Sequence, residues 1–228
     1  MRNKRNSHLL MLVLLLIWTV DAAAVSQAVG DMSQIFLLCF KTRCSIPVLA
    51  VFVGLKEGLR LPEKRHVPLL LLATLLGDIL YFFCEYTAYK YLPIGRVTVL
   101  LGMLPAVSYL FDCAVTRARP RLKVMMPIAV SVIGLGMVVY SGAEEAGSGV
   151  GYLCCALCLA LWIAYGRVAQ RLDGVFSPEA VTLYESVAAS LLMLPFALMN
   201  RPAALSAHDL WFCIVVMGIV TTGFGYII

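Results

Sequence analysis

Between Leu69 and Tyr89 the chain reads LLLLATLLGDILYFFCEYTAY, an apolar run that carries two acids, Asp78 and Glu85. Its length matches the roughly 20 mostly apolar residues that a helix needs to cross a bilayer. Helical periodicity puts Asp78, Tyr81, Phe82, Glu85 and Tyr89 on one stripe down one face. A carboxylate facing lipid costs at least a few kcal/mol, so such groups face a bundle interior or a wet cavity. The segment is therefore expected to wall a polar cavity inside a membrane protein, with Asp78, Tyr81 and Glu85 lining it.

The rest of the chain agrees. Of its 228 residues 61% are hydrophobic and 14% charged, with a mean hydropathy of +0.90. A soluble domain is about half apolar and a quarter charged, so this surplus has no place in water. Eight apolar segments follow one another: Leu9–Val29, Met32–Leu55, Leu69–Tyr89, Ile94–Val115, Val124–Tyr140, Val150–Val168, Glu179–Met199 and Asp209–Ile228. Short polar loops join them, which predicts an all-α polytopic bundle of about eight transmembrane helices. A signal peptide competes for the start, with Arg2, Lys4 and Arg5 before Leu9–Ile17 and small residues at Ala22–Ala24.

With the N-terminus inside, alternating the loops leaves thirteen Lys and Arg on the inner side and five on the outer. That asymmetry follows the positive-inside rule and predicts a cytoplasmic N-terminus in the cell membrane. The net charge of +5 thus follows topology and is no nucleic-acid signal. Cys155 and Cys158 form a CxxC within an apolar helix, without a second pair or nearby histidines, so neither metal nor cofactor is expected.

Sliding the chain by 144 positions lays Trp18 on Trp162, Asp21 on Tyr165, Ser33 on Ser177, Phe40 on Tyr184 and Lys41 on Glu185. Five spans separate the copies, so they lie in opposite orientation, the build of many secondary transporters with a site near the midplane. The repeat argues against the signal-peptide reading.

Several stretches resemble one known family. LLLIWTVDAAAVSQAV and LALWIAYGRVAQRL resemble the Trp-bearing first helices of the two EamA repeats in the drug/metabolite transporter superfamily. YTAYKYLPIGRVTVLLGMLPAVSYL resembles its third-to-fourth helix junction, PIAVSVIGLGMVVYSG its fifth helix, and GIVTTGFGYII the start of its eighth. The loop after the fourth segment, Thr116 to Pro120, lacks the glutamate of the family's Gly-Glu-Arg-type sequence. The resemblance implies an inverted-repeat architecture of five plus three helices: a first repeat over 9–141 and a second over 150–228, without the family's last two helices. It also implies transport of a small metabolite or drug-like solute, with a proton as a candidate coupling ion and a homodimer as a candidate assembly. A non-transporting structural or regulatory subunit is the alternative for so shortened a form.

Candidate substrate contacts are Trp18 and Asp21 on the first span, Arg43 on the second, and Asp78, Tyr81 and Glu85 on the third. Trp162, Tyr165 and Glu185 join them from the second repeat. Arg43, in the place of a family arginine, is expected to bind an anionic group or neutralise Asp78 or Glu85. Burial disfavours the charged form of a carboxylate, the condition for a proton relay, and a neighbouring Lys41 or Arg43 opposes it. A membrane enzyme would need a clustered nucleophile and base, yet His8, His66 and His208 lie far apart in sequence. No nucleotide-binding motif is present, so the expected partners are lipid and a small solute.

Overall fold

A computed structural model describes residues 4–141, 148–200 and 213–225. The connection holding Glu144 and Glu145, the loop holding His208, and the flanks of the last predicted span lie outside the described residues. The chain forms a helical bundle: α1 (Lys4–Asp31), α2 (Gln34–Lys56), α3 (Val67–Tyr91), α4 (Ile94–Thr116), α5 (Leu122–Ser141), α6 (Gly149–Ala169), α7 (Pro178–Met199) and α8 (Cys213–Phe224). Six of these are long and apolar enough to span a membrane, and α5 contributes the shorter apolar stretch Leu122–Gly134.

The helix ends follow the local chemistry. Ser148 and Ser177 cap α6 and α7, their hydroxyls accepting from the N–H groups of Val150 and Ala180. Pro105 has no N–H to give the preceding turn, and α4 breaks at Gly102–Met103 into Ile94–Leu101 and Leu104–Thr116. Inside α3, residues Thr74–Leu80 form a wide turn in which the Tyr81 N–H reaches back five residues to the Leu76 carbonyl. Such π-turns widen the helix locally and often accompany functional sites.

α2 is the central helix and packs most extensively against α7 and α8. Lipid tails are as apolar as leucine, so association in the membrane relies on close backbone approach and hydrogen bonds between small polar residues. The α2–α7 seam has both features. Ser45 and Ser186 hydroxyls meet at 3.4 Å, and the Cys39 thiol donates to the Ser190 carbonyl at 3.8 Å, beside Ala189. At the α2–α8 crossing, Gly218 leaves no space for a Cβ against Cys44. Apolar side chains of α1 and α5, among them Leu12, Leu16, Val130 and Ile133, point outward, as a lipid-facing surface requires.

Loop contacts fall at two opposite ends. At one, Lys56 Nζ lies 2.7 Å from Glu179 Oε1, the Tyr184 hydroxyl donates to the Arg60 carbonyl, and Arg167 pairs with Asp112. At the other, the Ser148 N–H donates to the Tyr91 carbonyl at 3.4 Å. The three loops sorted to the inner side in the sequence thus gather at one end. Lys56 is 48% exposed and Glu179 also has the Ser177 hydroxyl beside it, so Lys56→Met is expected to change unfolding stability by less than about 1 kcal/mol in a thermal melt of the purified protein.

Candidate functional site

The wide turn of α3 presents Gly77 and Asp78 to α6 and α7. Gly77 matters because it has no Cβ: the Tyr165 ring fills that position, with atoms 2.6–3.0 Å from where a Cβ would sit. Together with Trp162, Thr182 and Glu185 these residues line a small cavity with room for about one water molecule. One wall is aromatic, with the Trp162 ring 5.0 Å from Tyr81 and 5.2 Å from Tyr165.

Two carboxylates face this cavity. Glu185 is 3% exposed, and its Oε2 accepts from the Tyr165 hydroxyl at 3.3 Å. Glu185 Oε1 and Asp78 Oδ2 are both buried and have no hydrogen-bond partner among the described residues. A buried polar atom without a partner is costly, so the pair is poised for a ligand, water or proton that supplies one.

Next to it lies a second cluster around Lys41, itself 3% exposed on α2. Its Nζ sits 3.4 Å from Asp21 Oδ2 of α1, 4.1 Å above the Phe82 ring centroid and 5.9 Å from that of Tyr86. Glu85 is within electrostatic range of Lys41 and Asp21, while Asp78 feels Lys41 on one side and Glu185 on the other. One ammonium therefore serves three carboxylates, Asp21, Glu85 and Asp78, and Asp78 in turn neighbours Glu185 of α7.

The two clusters occupy corresponding positions. The Asp21–Lys41 contact joins α1 to α2, and the Tyr165–Glu185 contact joins α6 to α7. Both link residues twenty apart, and the 144-residue offset carries the first pair onto the second.

Of the residues singled out from sequence, Asp78, Tyr81, Trp162, Tyr165 and Glu185 gather at the cavity, and Asp21 and Glu85 at the lysine. Asp78 and Glu85 do not share one pocket, because the extra residue in the wide turn rotates Asp78 relative to the helix beyond Leu80. Trp18 is 47% exposed on the outer face of α1. Arg43 is exposed too, so it is Lys41 that faces the acids. Gly77 and Thr182 were not singled out, and Phe82 was placed on the Asp78 stripe but not among the candidate contacts. Only the glycine beside Asp78 carried a signal, since a residue without a side chain next to a buried acid marks close approach. Cys158 is a buried free thiol donating to the Tyr81 carbonyl at 3.5 Å, with no metal-holding group of three or more ligands among the described residues.

The profile of the EamA-like transporter family matches residues 5–140 and again 149–228. An uncharacterized transporter of Archaeoglobus fulgidus is 22% identical over 197 residues, covering 85% of this chain and 68% of that protein. A protein of known crystal structure aligns with 93% of this chain and 77% of its own at a TM-score of 0.64 and 20% identity, a likeness of fold.

Proposed function

The chain belongs to the EamA-like transporter family and is a multi-pass membrane transporter, and from that premise we propose that it moves a small metabolite or drug-like solute as a secondary carrier. The observation that carries the reading is the cavity between α3, α6 and α7, where Asp78 and Glu185 each hold a buried carboxylate oxygen without a partner. Ionisable groups inside membrane helices mark solute and ion pathways. Two carboxylates next to each other cannot both ionise cheaply, so the cavity takes up a proton or a cation when it is otherwise empty. Proton coupling or exchange follows from that.

The same reading treats 9–141 and 150–228 as inverted repeats, supported by the corresponding Asp21–Lys41 and Tyr165–Glu185 contacts. It sets the N-terminus in the cytoplasm and the chain in the cell membrane, supported by the excess of basic residues in the loops that gather at one end.

Uptake and efflux of a panel of radiolabelled metabolites, in cells with and without the protein, test the proposal. At least one solute is expected to move faster in expressing cells and to slow on addition of a protonophore. Asp78→Asn and Glu85→Gln are each expected to cut that flux about tenfold, the size of one lost charge-assisted contact. A membrane-inserted protein that accelerates no solute would sink the carrier reading.

A further inference from the structure

We propose that Glu185 is the side chain on which this carrier binds its proton. The proton sits on Oε1 and is shared, directly or through one water, with Asp78 Oδ2, while Asp78 stays ionised. The inference rests on the carrier reading and goes beyond it by choosing a proton over a cation, and one acid over the other.

Hydrogen-bond capacity gives the first reason. Asp78 Oδ2 and Glu185 Oε1 are buried, belong to residues lining the same small cavity, and have no hydrogen-bond partner among the described residues. An ionised carboxylate only accepts, so two anions would leave both oxygens bare, whereas a protonated carboxyl carries one O–H donor. One proton thus turns one of the two oxygens into the donor that the other lacks. A second proton would remove the acceptor again. The space agrees, with room for about one water, which accepts from the carboxyl and donates to the carboxylate. Its other hydrogen can turn to the Thr182 hydroxyl, whose own hydrogen goes to the Pro178 carbonyl at 3.0 Å. A divalent metal ion asks for about six oxygens or more, and no metal-holding group of three or more ligands is present among the described residues.

The surroundings then decide which acid keeps the proton. Asp78 lies within range of the Lys41 ammonium, which favours its ionised form. Glu185 faces Asp78 from α3 and Tyr165 from α6, and beside it α2 meets α7 through the neutral Ser45 and Cys39. Asp21 and Glu85 draw on the same ammonium from the side away from Glu185. The Tyr165 hydroxyl donates to Glu185 Oε2, which in the neutral acid is the carbonyl oxygen, and this leaves Oε1 as the hydroxyl. The same donor would serve a carboxylate, yet one neutral hydroxyl does not offset burial next to a second anion. When the proton leaves, two anions face each other between α3 and α7, so proton release and separation of these helices favour one another.

Infrared spectroscopy of the purified full chain in lipid nanodiscs at neutral pH, in light and heavy water, tests this without requiring flux. A neutral carboxyl shows its C=O stretch above the amide I band, and deuteration shifts it down. Such a band is expected in the parent, and the parent-minus-variant difference is expected to show its loss in Glu185→Gln. Tyr165→Phe keeps the ring against Gly77 and removes only the hydroxyl, so the band is expected to persist and move to higher frequency. Exchanging sodium for choline in the buffer, or Asp173→Asn in an exposed loop, is expected to leave it unchanged. A folded Glu185→Gln variant that keeps the whole band, a Tyr165→Phe band that stays in place, or a band abolished by sodium each overturns the proposal. Should Glu185→Gln fail to fold, the Tyr165→Phe shift and the sodium comparison still decide. A chain that moves solutes but lacks this band loses only this inference, and one that shows it but moves nothing loses the carrier reading.

Discussion

Replacing Lys41 by methionine is expected to cost about 3–5 kcal/mol of unfolding free energy, the usual penalty for removing one partner of a buried ion pair. Methionine keeps the length and apolar stem of the side chain, so the packing over Phe82 and Tyr86 survives and the loss isolates the charge. Asp21, 14% exposed, is then left without its ammonium, and Glu85 and Asp78 lose the cation within their electrostatic range. The double variant Lys41→Met with Asp21→Asn is expected to recover much of the loss, because both members of the direct pair become neutral together. Denaturant titration of the single and double variants in the same detergent checks both numbers. A single variant as stable as the parent would mean that the lysine ammonium is not what holds the acids in place.

Gly77→Ala is expected to destabilise the bundle by up to about 3 kcal/mol and to cut solute flux by up to about a hundredfold, the rate equivalent of that energy. The reason is geometric. A Cβ at position 77 would meet Cδ2, Cε2 and Cγ of Tyr165 at 2.6, 2.8 and 3.0 Å. These are ring atoms of a side chain wedged between Trp162 and the cavity, not the loose end of a flexible chain. Either Tyr165 moves and gives up its bond to Glu185 Oε2, or α3 and α6 part. The alanine adds one methyl and no charge, so it disturbs the site through position alone. Flux and thermal stability measured on the same preparation separate the two routes. Loss of flux at parental stability means that the ring has shifted, and loss of both means that the helices have separated. Unchanged stability together with unchanged flux would show that the close approach of Tyr165 to α3 is unimportant.

The contrast with Lys56→Met is one of dielectric. Lys56 and Glu179 form a shorter pair than Lys41 and Asp21, at 2.7 against 3.4 Å, yet the expected effect is far smaller. The two carboxylates are about equally exposed, at 13% and 14%, and the difference lies in the cations: Lys56 is 48% exposed, whereas Lys41 is 3% exposed and also lies within electrostatic range of Asp78 and Glu85.

Much of this arrangement was legible before any coordinates. Each segment's cost of leaving lipid is set by its own residues, so the spans, their order and the grouping of three basic loops at one end could be read from hydropathy and from the placement of lysine and arginine. The presence of acids in those spans likewise implied a polar interior, whereas the offset that lays Lys41 on Glu185 did not say which partner each would meet. What the residue string left open was rotation. Lys41 and Arg43, two positions apart, point about 200° away from each other on a helix. Either could have faced the acids, and packing of α2 against α1 and α3 selected Lys41. The wide turn at Thr74–Leu80, which sends Asp78 to Glu185 and leaves Glu85 with Lys41, has no sequence signature of its own. Hydropathy is a sum over each helix taken alone, while the pairing of charges depends on how the faces of several helices are turned toward one another, and only the packed bundle decides that.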